Sequence, residues 1–406
     1  MGATLGHRLG FVLTRTVWGL LAFLSFNRIR VVRAERLPRG GPVLYVGLHR
    51  NGVLDGAAYL RVARRAEFVI SAQWHRSLAG RLLFPGIAVA RDKDRERGIK
   101  ADNAGAFREA LEHLAPGGQL LILPEGTSSL GPRHLPFKPG AARLAGEVAA
   151  SGVALSIVPL GIHYECAWEW QSRVEILVGE PLQIPAGARV PQDEMEARIA
   201  AALEAVGVNV ETEERLRLIE ALAYAATLGT RRSYAECLKR LEAGVPAKLE
   251  AAAAALLDAA RVEGARLHQG VPLMPVGAVA PYVLLWLLLA PLEAAFLLSN
   301  APAVAGAVWA SRTLPDERNV IALWRMLVGM PLGALWAAFL CALLLALAGP
   351  LWALLYVAVC IAGVRAYYRF RKLSIALYNV LFVRRLRDEL LNFRLALAAS
   401  LDAERR

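Results

Sequence analysis

His49 and Asp55 stand six positions apart in the run His49-Arg50-Asn51-Gly52-Val53-Leu54-Asp55, close enough for one tight loop to bring an imidazole against a carboxylate. Such a carboxylate fixes the ring's tautomer and stabilises its charged form. That is what a general base needs when it takes a proton from an alcohol. The same two residues also suit turn chemistry and helix capping, and spacing alone does not separate the two uses. Three further stretches carry groups of chemical interest. Gly86-Ile87-Ala88-Val89-Ala90-Arg91 ends on an arginine, whose planar fork of donors binds phosphate or is simply solvated. In Pro124-Glu125-Gly126-Thr127-Ser128-Ser129, backbone N–H groups and three hydroxyls could cradle an anion, and Glu125 could hold a hydroxyl or an arginine. An ordinary polar loop has the same composition. Val158-Pro159-Leu160-Gly161 would form a wall beside them.

The elements that must position these groups follow from periodicity. Val43-Leu44-Tyr45-Val46, opened by Pro42, reads as a buried strand delivering His49 to its carboxyl end. Asn51-Gly52 supplies a turn, and Asp55 opens a helical pattern over Gly56 to Arg65. Arg28 to Arg33 reads as an edge strand. Further strands are expected over Glu67 to Ser71, Ile87 to Ala90, Leu120 to Leu123, Leu155 to Leu160 and Val174 to Val178. Helices are expected over Ser77 to Phe84, Asn103 to Leu114 and Ala141 to Ala150. Single helices between short apolar strands predict an α/β domain with a largely parallel central sheet, its loops gathered on one side. Residues 192 to 268 then turn to alanine and charge, punctuated by Gly207, Gly229, Gly244 and Pro246, and read as several helices.

The 406 residues are 56% hydrophobic and 20% charged, with the apolar excess after residue 270. Residues 326 to 364 are 39 consecutive uncharged positions, broken by Gly349-Pro350. One crossing takes about 20 residues, so this is read as two helices and a short turn. Residues 269 to 311 carry one charge, Glu293, and a turn at Ser299-Asn300-Ala301-Pro302. This reads as a hairpin or re-entrant pair with Glu293 turned to protein or the interface. The N-terminal stretch Leu9 to Phe26, with Trp18 and Phe23 and interrupted by Arg15, is expected to lie on the membrane interface or to pack as an amphipathic helix. Basic residues flank both apolar blocks, and Arg365 to Arg406 hold ten basic against four acidic residues. The positive-inside rule places them, with the soluble half, in the cytoplasm. A net charge of +12 fits anionic lipid, and no zinc spacing or aromatic-basic interleaving supports nucleic acid. Four cysteines without C-x-x-C spacing exclude a disulfide framework as an expectation.

Taken in order, His-x5-Asp, G-I-A-V-A-R, P-E-G-T-S-S followed by L-P-F-K-P-G, and V-P-L-G resemble the four-block signature of the glycerolipid acyltransferases over residues 28 to 185. Most members have four residues between histidine and aspartate, an asparagine where Leu48 stands, and a basic residue where Ser128 stands. The departures, with S-R-V-E-I-L-V-G-E-P at 172 to 181, look like the fungal endoplasmic-reticulum glycerol-3-phosphate and dihydroxyacetone-phosphate acyltransferases. The resemblance implies His49 as general base and Asp55 as its orienting partner. It implies Arg91 on the acceptor's phosphate, supported by Lys138 or Arg133, and the loop of Glu125, Gly126, Thr127 and Ser128 at the glycerol end. It implies an acyl thioester of coenzyme A or acyl carrier protein as co-substrate, no bound cofactor, no metal, and membrane lipid as a partner. A 1-acylglycerol 3-phosphate acceptor would use the same loops, and an inert lipid-binding scaffold is the competing non-enzymatic reading. The expected division is a membrane-associated helix (1–27), an acyltransferase domain (28–190), a helical connector (191–268), membrane hairpins (269–364) and a basic cytoplasmic tail (365–406).

Overall fold

The computed structural model describes residues 5–99, 101–275, 277–383 and 386–402. Arg384, Arg385, Arg405 and Arg406 of the basic tail lie outside the described residues. The chain forms two compact units. One takes residues up to 23, 29–163 and 174–209, and the other takes 24–28, 164–173 and 210 onward.

Up to residue 209 the elements are α1 (Leu5–Ser25), β1 (Phe26–Val32), β2 (Val43–Gly47), α2 (Val53–Tyr59), β3 (Glu67–Ser71), α3 (Leu78–Leu83), β4 (Ile87–Val89) and α4 (Asp92–Glu96). There follow α5 (Asn103–Leu114), β5 (Gln119–Ile122), α6 (Gly140–Ala150), β6 (Leu155–Tyr164), β7 (Ser172–Val178), β8 (Leu182–Ile184) and α7 (Gln192–Val206). The sheet runs β1-β7-β6-β2-β5-β3-β4, with β8 added on β6. Pairing is parallel between β2 and β6, β2 and β5, β3 and β5, and β3 and β4, and antiparallel for β8. This is the expected α/β architecture. β2 lies between β5 and β6, and every one of its residues is buried, as a central strand covered on both faces requires.

Packing decides two elements. Residues Arg15 to Phe23 of α1 are part of the first unit, the packed one of the two expected placements. Trp18 is buried edge-on against Phe68 and Phe84, and its indole N–H donates to the Leu83 carbonyl. A Cβ at Gly56 would meet the Trp18 ring at 2.4 Å, so the glycine is what lets the indole seat on α2. Residues 192 to 206, expected to begin the helical connector, also belong to the first unit. Met195, Ile199, Leu203 and Val206 recur at helical spacing, and all four are buried.

The second unit contains α8 (Glu213–Thr227), α9 (Tyr234–Ala243), α10 (Ala247–Val262), β9 (Leu267–His268), β10 (Val271–Pro272), α11 (Ala280–Ser299), α12 (Ala301–Thr313), α13 (Ile321–Leu347), α14 (Pro350–Phe382) and α15 (Leu386–Asp402). β9 and β10 form a hairpin around Gln269 and Gly270, both at positive φ, the geometry of a two-residue type I′ turn. Among the described residues three helices are long and apolar enough to cross a membrane: α11, α13 with the turn before it, and α14. α12 has 13 residues, about 20 Å of helix against an apolar core of about 30 Å. Polar pairs join these helices. Trp286 donates to Ser374, Trp336 to the Ser299 carbonyl, and Tyr356 to Asn300. Glu293 is turned into protein, 1% exposed.

The basic segment from Arg365 is not a separate tail. α14 continues unbroken to Phe382, and several of its cations face protein. Arg371 pairs with Glu169, Arg365 donates to the Phe26 carbonyl at 2.9 Å, and Lys372 lies 5.4 Å from the Tyr368 ring centre.

Candidate active site

Because β2, β3, β4 and β5 are parallel, their carboxyl ends open on one edge of the sheet. Ligand crevices of open α/β sheets lie at such an edge. β2 delivers Leu48 and His49, β4 delivers Ala90 and Arg91, and β5 delivers the loop from Pro124. β6, parallel to β2, contributes the Leu160 carbonyl, which accepts the Leu48 N–H at 3.0 Å.

Asp55 is fully buried on α2, within the first turn of the helix and not ahead of it. Its Oδ2 accepts from the backbone N–H groups of Arg50 at 2.7 Å and Asn51 at 2.8 Å, and lies 2.8 Å from His49 Nδ1. A carboxylate can only accept, so Nδ1 carries the proton and Nε2 is left with its lone pair. The imidazole itself is half-buried, with 14% of its side chain exposed, so it is held from one side and reachable from the other.

The glutamate loop fixes the backbone of the same histidine. Glu125 is 2% exposed, and its two oxygens take the N–H groups of His49 at 2.7 Å and Leu135 at 3.1 Å. Burial pushes its carboxyl above the ordinary glutamate range, against the lowering by those two amides. Glu125 thus ties the histidine turn to the segment after it, and both oxygens expected to hold an acceptor hydroxyl are on backbone. The Ser129 N–H closes the tie by donating to the His49 carbonyl at 3.1 Å. Gly126 sits at φ 70°, where a side chain is strained, and a Cβ there would press on Lys138 at 3.3 Å. Thr127 and Ser128 are half-buried on this loop.

Arg91 reaches the loop from β4. Its Nη1 donates to the Gly126 carbonyl at 3.2 Å, while Nε and Nη2 hold Asp94 in a bidentate pair at 2.9 and 3.1 Å. Ser71 donates to the same Asp94 at 2.8 Å. Burial alone would raise the Asp94 carboxyl, but the Arg91 and Ser71 bonds hold it below the usual range. Asn103 clamps the preceding residue, accepting from the Ala90 N–H at 2.8 Å and donating to its carbonyl at 3.0 Å. Lys138 is exposed and ion-paired with Asp92, with its N–H on the Pro124 carbonyl at 2.8 Å. Arg133 is exposed on the loop between.

The residues singled out by type and spacing meet at this edge, and Asp94, Ser71 and Asn103, which hold them, were not among those. Asp94, three positions after Arg91, carried a legible signal as an ion-pair spacing on a helix. Ser71 and Asn103 carried none, because only the fold brings them to β4.

Three comparisons with known proteins bear on the domain that carries these residues. A family model described as acyltransferase matches residues 28–163. Glycerol-3-phosphate O-acyltransferase 2 of Saccharomyces cerevisiae is 38% identical over 87 residues, 21% of this chain and 12% of that protein. A 1-acyl-sn-glycerol-3-phosphate acyltransferase of Chlamydomonas reinhardtii is 24% identical over 164 residues, 38% of this chain and 46% of that protein. The chain therefore spans less than half the length of either relative. The crystal structure of the 1-acyl-sn-glycerophosphate (LPA) acyltransferase of Thermotoga maritima aligns with a TM-score of 0.34 and 17% identity, covering 48% of this chain and 76% of that one. With a His–Asp pair at the carboxyl edge of a parallel sheet and the family match laid over it, residues 28–163 form an acyltransferase domain.

Proposed function

We propose that the chain moves a fatty acyl group from an acyl thioester to a hydroxyl of glycerol 3-phosphate or dihydroxyacetone phosphate, with His49 as general base. The observation that carries this is the locked tautomer. Asp55 keeps the proton on Nδ1, which leaves Nε2 as the basic atom of a ring that stays partly exposed. Nε2 takes the hydroxyl proton as the acceptor oxygen bonds to the thioester carbonyl carbon. Collapse of the tetrahedral adduct breaks the C–S bond, and the thiolate of coenzyme A or carrier protein leaves and takes that proton. No acyl-enzyme is needed, and these steps call on no metal or bound cofactor.

Arg91 binds the acceptor's phosphate through the part of its fork not engaged by Asp94 and Gly126. Gly126, Thr127 and Ser128 line the glycerol end, Lys138 adds charge from its pair with Asp92, and Glu125 holds the loops in register. The yeast relative supports the small acceptor. A second reading, 1-acylglycerol 3-phosphate as acceptor, is supported by the algal relative and uses the same groups. The three long apolar helices point to membrane association, and we place the catalytic domain at the cytoplasmic surface on the strength of the flanking cations.

The test is thioester-dependent acylation by detergent-purified protein, with glycerol 3-phosphate, dihydroxyacetone phosphate and 1-acylglycerol 3-phosphate offered in parallel. His49→Ala should lose about 10²–10⁴-fold in kcat with folding unchanged. Asp55→Asn should lose a comparable factor through the wrong tautomer. Wild-type turnover in His49→Ala would refute the mechanism, and preference for the lysolipid would move the enzyme to the second acylation.

A further inference from the structure

The second unit holds a half-open cavity of about 560 Å³. Its walls come from the segment after α8, from β10 and the residues after it, and from α11, α14 and α15. This volume falls within the range of about 300–1,000 Å³ that small-molecule sites occupy. Its lining is sharply divided in chemistry. Arg173, Arg232, Arg369, Lys372 and Arg394 all border it, and none of the described residues lining it is acidic. Glu165 accepts the Tyr368 hydroxyl at 2.6 Å and offsets part of the charge at Lys372. Arg173, Arg369, Lys372 and Arg394 come from three separate segments, and their summed positive charge favours an anion between them. Leu285, Leu273, Phe393 and Leu397 supply an apolar wall in the same space.

We propose that this cavity binds a lipid with a phosphate headgroup. A single carboxylate would under-match the cluster, whereas a phosphate monoester carries close to two negative charges and three strong acceptor oxygens, suited to several arginines at once. A free phosphate would leave the apolar wall unused. The placement of that wall argues for a bilayer source. Tyr282 and Leu285 lie in the first turns of α11, a helix long and apolar enough to cross a membrane, and both are exposed at about two fifths of their surface. An aromatic residue at the start of such a helix marks the headgroup level. A lipid's phosphate at the cations and its chain along Leu285 and Leu397 would satisfy both halves of the lining.

The full-length protein, delipidated in detergent, is offered dioleoyl phosphatidate, dioleoyl phosphatidylcholine or inorganic phosphate, and retained ligand is measured by native mass spectrometry. The expected result is one phosphatidate per chain, held about tenfold more tightly than phosphatidylcholine, with inorganic phosphate a poor competitor. Arg369→Glu with Arg394→Glu should abolish that preference. Ala398→Trp, which keeps every charge and fills the rim, should weaken retention while gel filtration confirms the fold. His49→Ala and Arg91→Ala should retain phosphatidate as the wild type does, since the cavity owes nothing to the acyltransferase site. Equal retention by wild type and both cavity variants would overturn the proposal. So would loss in Arg91→Ala alone, which places binding at the acyltransferase site, or inorganic phosphate binding as tightly as the lipid, which makes the site one for a free ion.

Discussion

At the scale of residues, the acyltransferase edge is built from groups that act on other groups. Arg91 would meet substrate, but Asp94 sets its direction and Ser71 sets Asp94. Asp94→Asn keeps the shape and removes the charge that anchors the fork. Acceptor KM should therefore rise about tenfold while kcat changes much less, and Arg91→Lys, lacking the fork, should not restore it. His268 makes a second prediction. It is fully buried between Tyr224 and Tyr368, and its ring nitrogens have no hydrogen-bond partner among the described residues. Burial first, and then the charges of Arg371, Lys372 and Arg173, hold it well below the ordinary histidine range. A base with a depressed folded pKa stays neutral when folded while the unfolded chain takes up a proton. Stability is then full above about pH 6.5 and falls below it, by at most about 1.4 kcal/mol per pH unit. Thermal unfolding from pH 7 to pH 5 should show this slope in the wild type and a shallower one in His268→Phe. His49 and Arg91 are legible in the sequence because each is reactive in type and follows an apolar strand run, and Asp55 because it stands one short turn beyond His49. The partners Ser71 and Asn103 are not, since they are common residues brought in by pairing and packing.

At the scale of elements, strand periodicity carried most of the α/β domain. β2, β3 and β5 are short apolar runs bounded by polar turns, and the structure has them within a residue or so of expectation. What escaped was short or context-dependent. β9 and β10 have two residues each, too few for any period, and are held by the turn at Gln269-Gly270. α1 was open between an interfacial and a packed helix, and its burial around Trp18 is the kind of fact that only the partner, Gly56 with Phe68 and Phe84, can supply. Trp18→Ala should destabilise the first unit by about 3–5 kcal/mol, read as an earlier unfolding transition in detergent. An unchanged transition would mean that α1 contributes nothing to that unit. The basic run from Arg365 was legible as charge but not as helix interior, because a cation facing Glu169 and a cation facing water look alike in sequence.

At the scale of the whole molecule, the division into a catalytic sheet and a greasy helical half was visible in composition, since a chain of +12 net charge with 39 uncharged residues in a row has few soluble solutions. The lengths of the helices were less visible. α13 carries an apolar stretch from Met326 to Leu347, whereas the apolar part of α14 runs only from Pro350 to Val364 before Arg365 begins the cationic half of the same rod. At 1.5 Å per residue the first is about 33 Å and the second about 22 Å. One bilayer cannot match both. The long helix is accommodated by tilting, but the short one draws arginine toward the hydrocarbon unless the lipid thins around it, a hydrophobic mismatch with a cost per ångström. Reconstituted in phosphatidylcholine of increasing chain length, the protein should therefore unfold at progressively lower temperature as the bilayer thickens. Membrane thickness would then act on this molecule as a sorting signal, retaining it where the bilayer is thin.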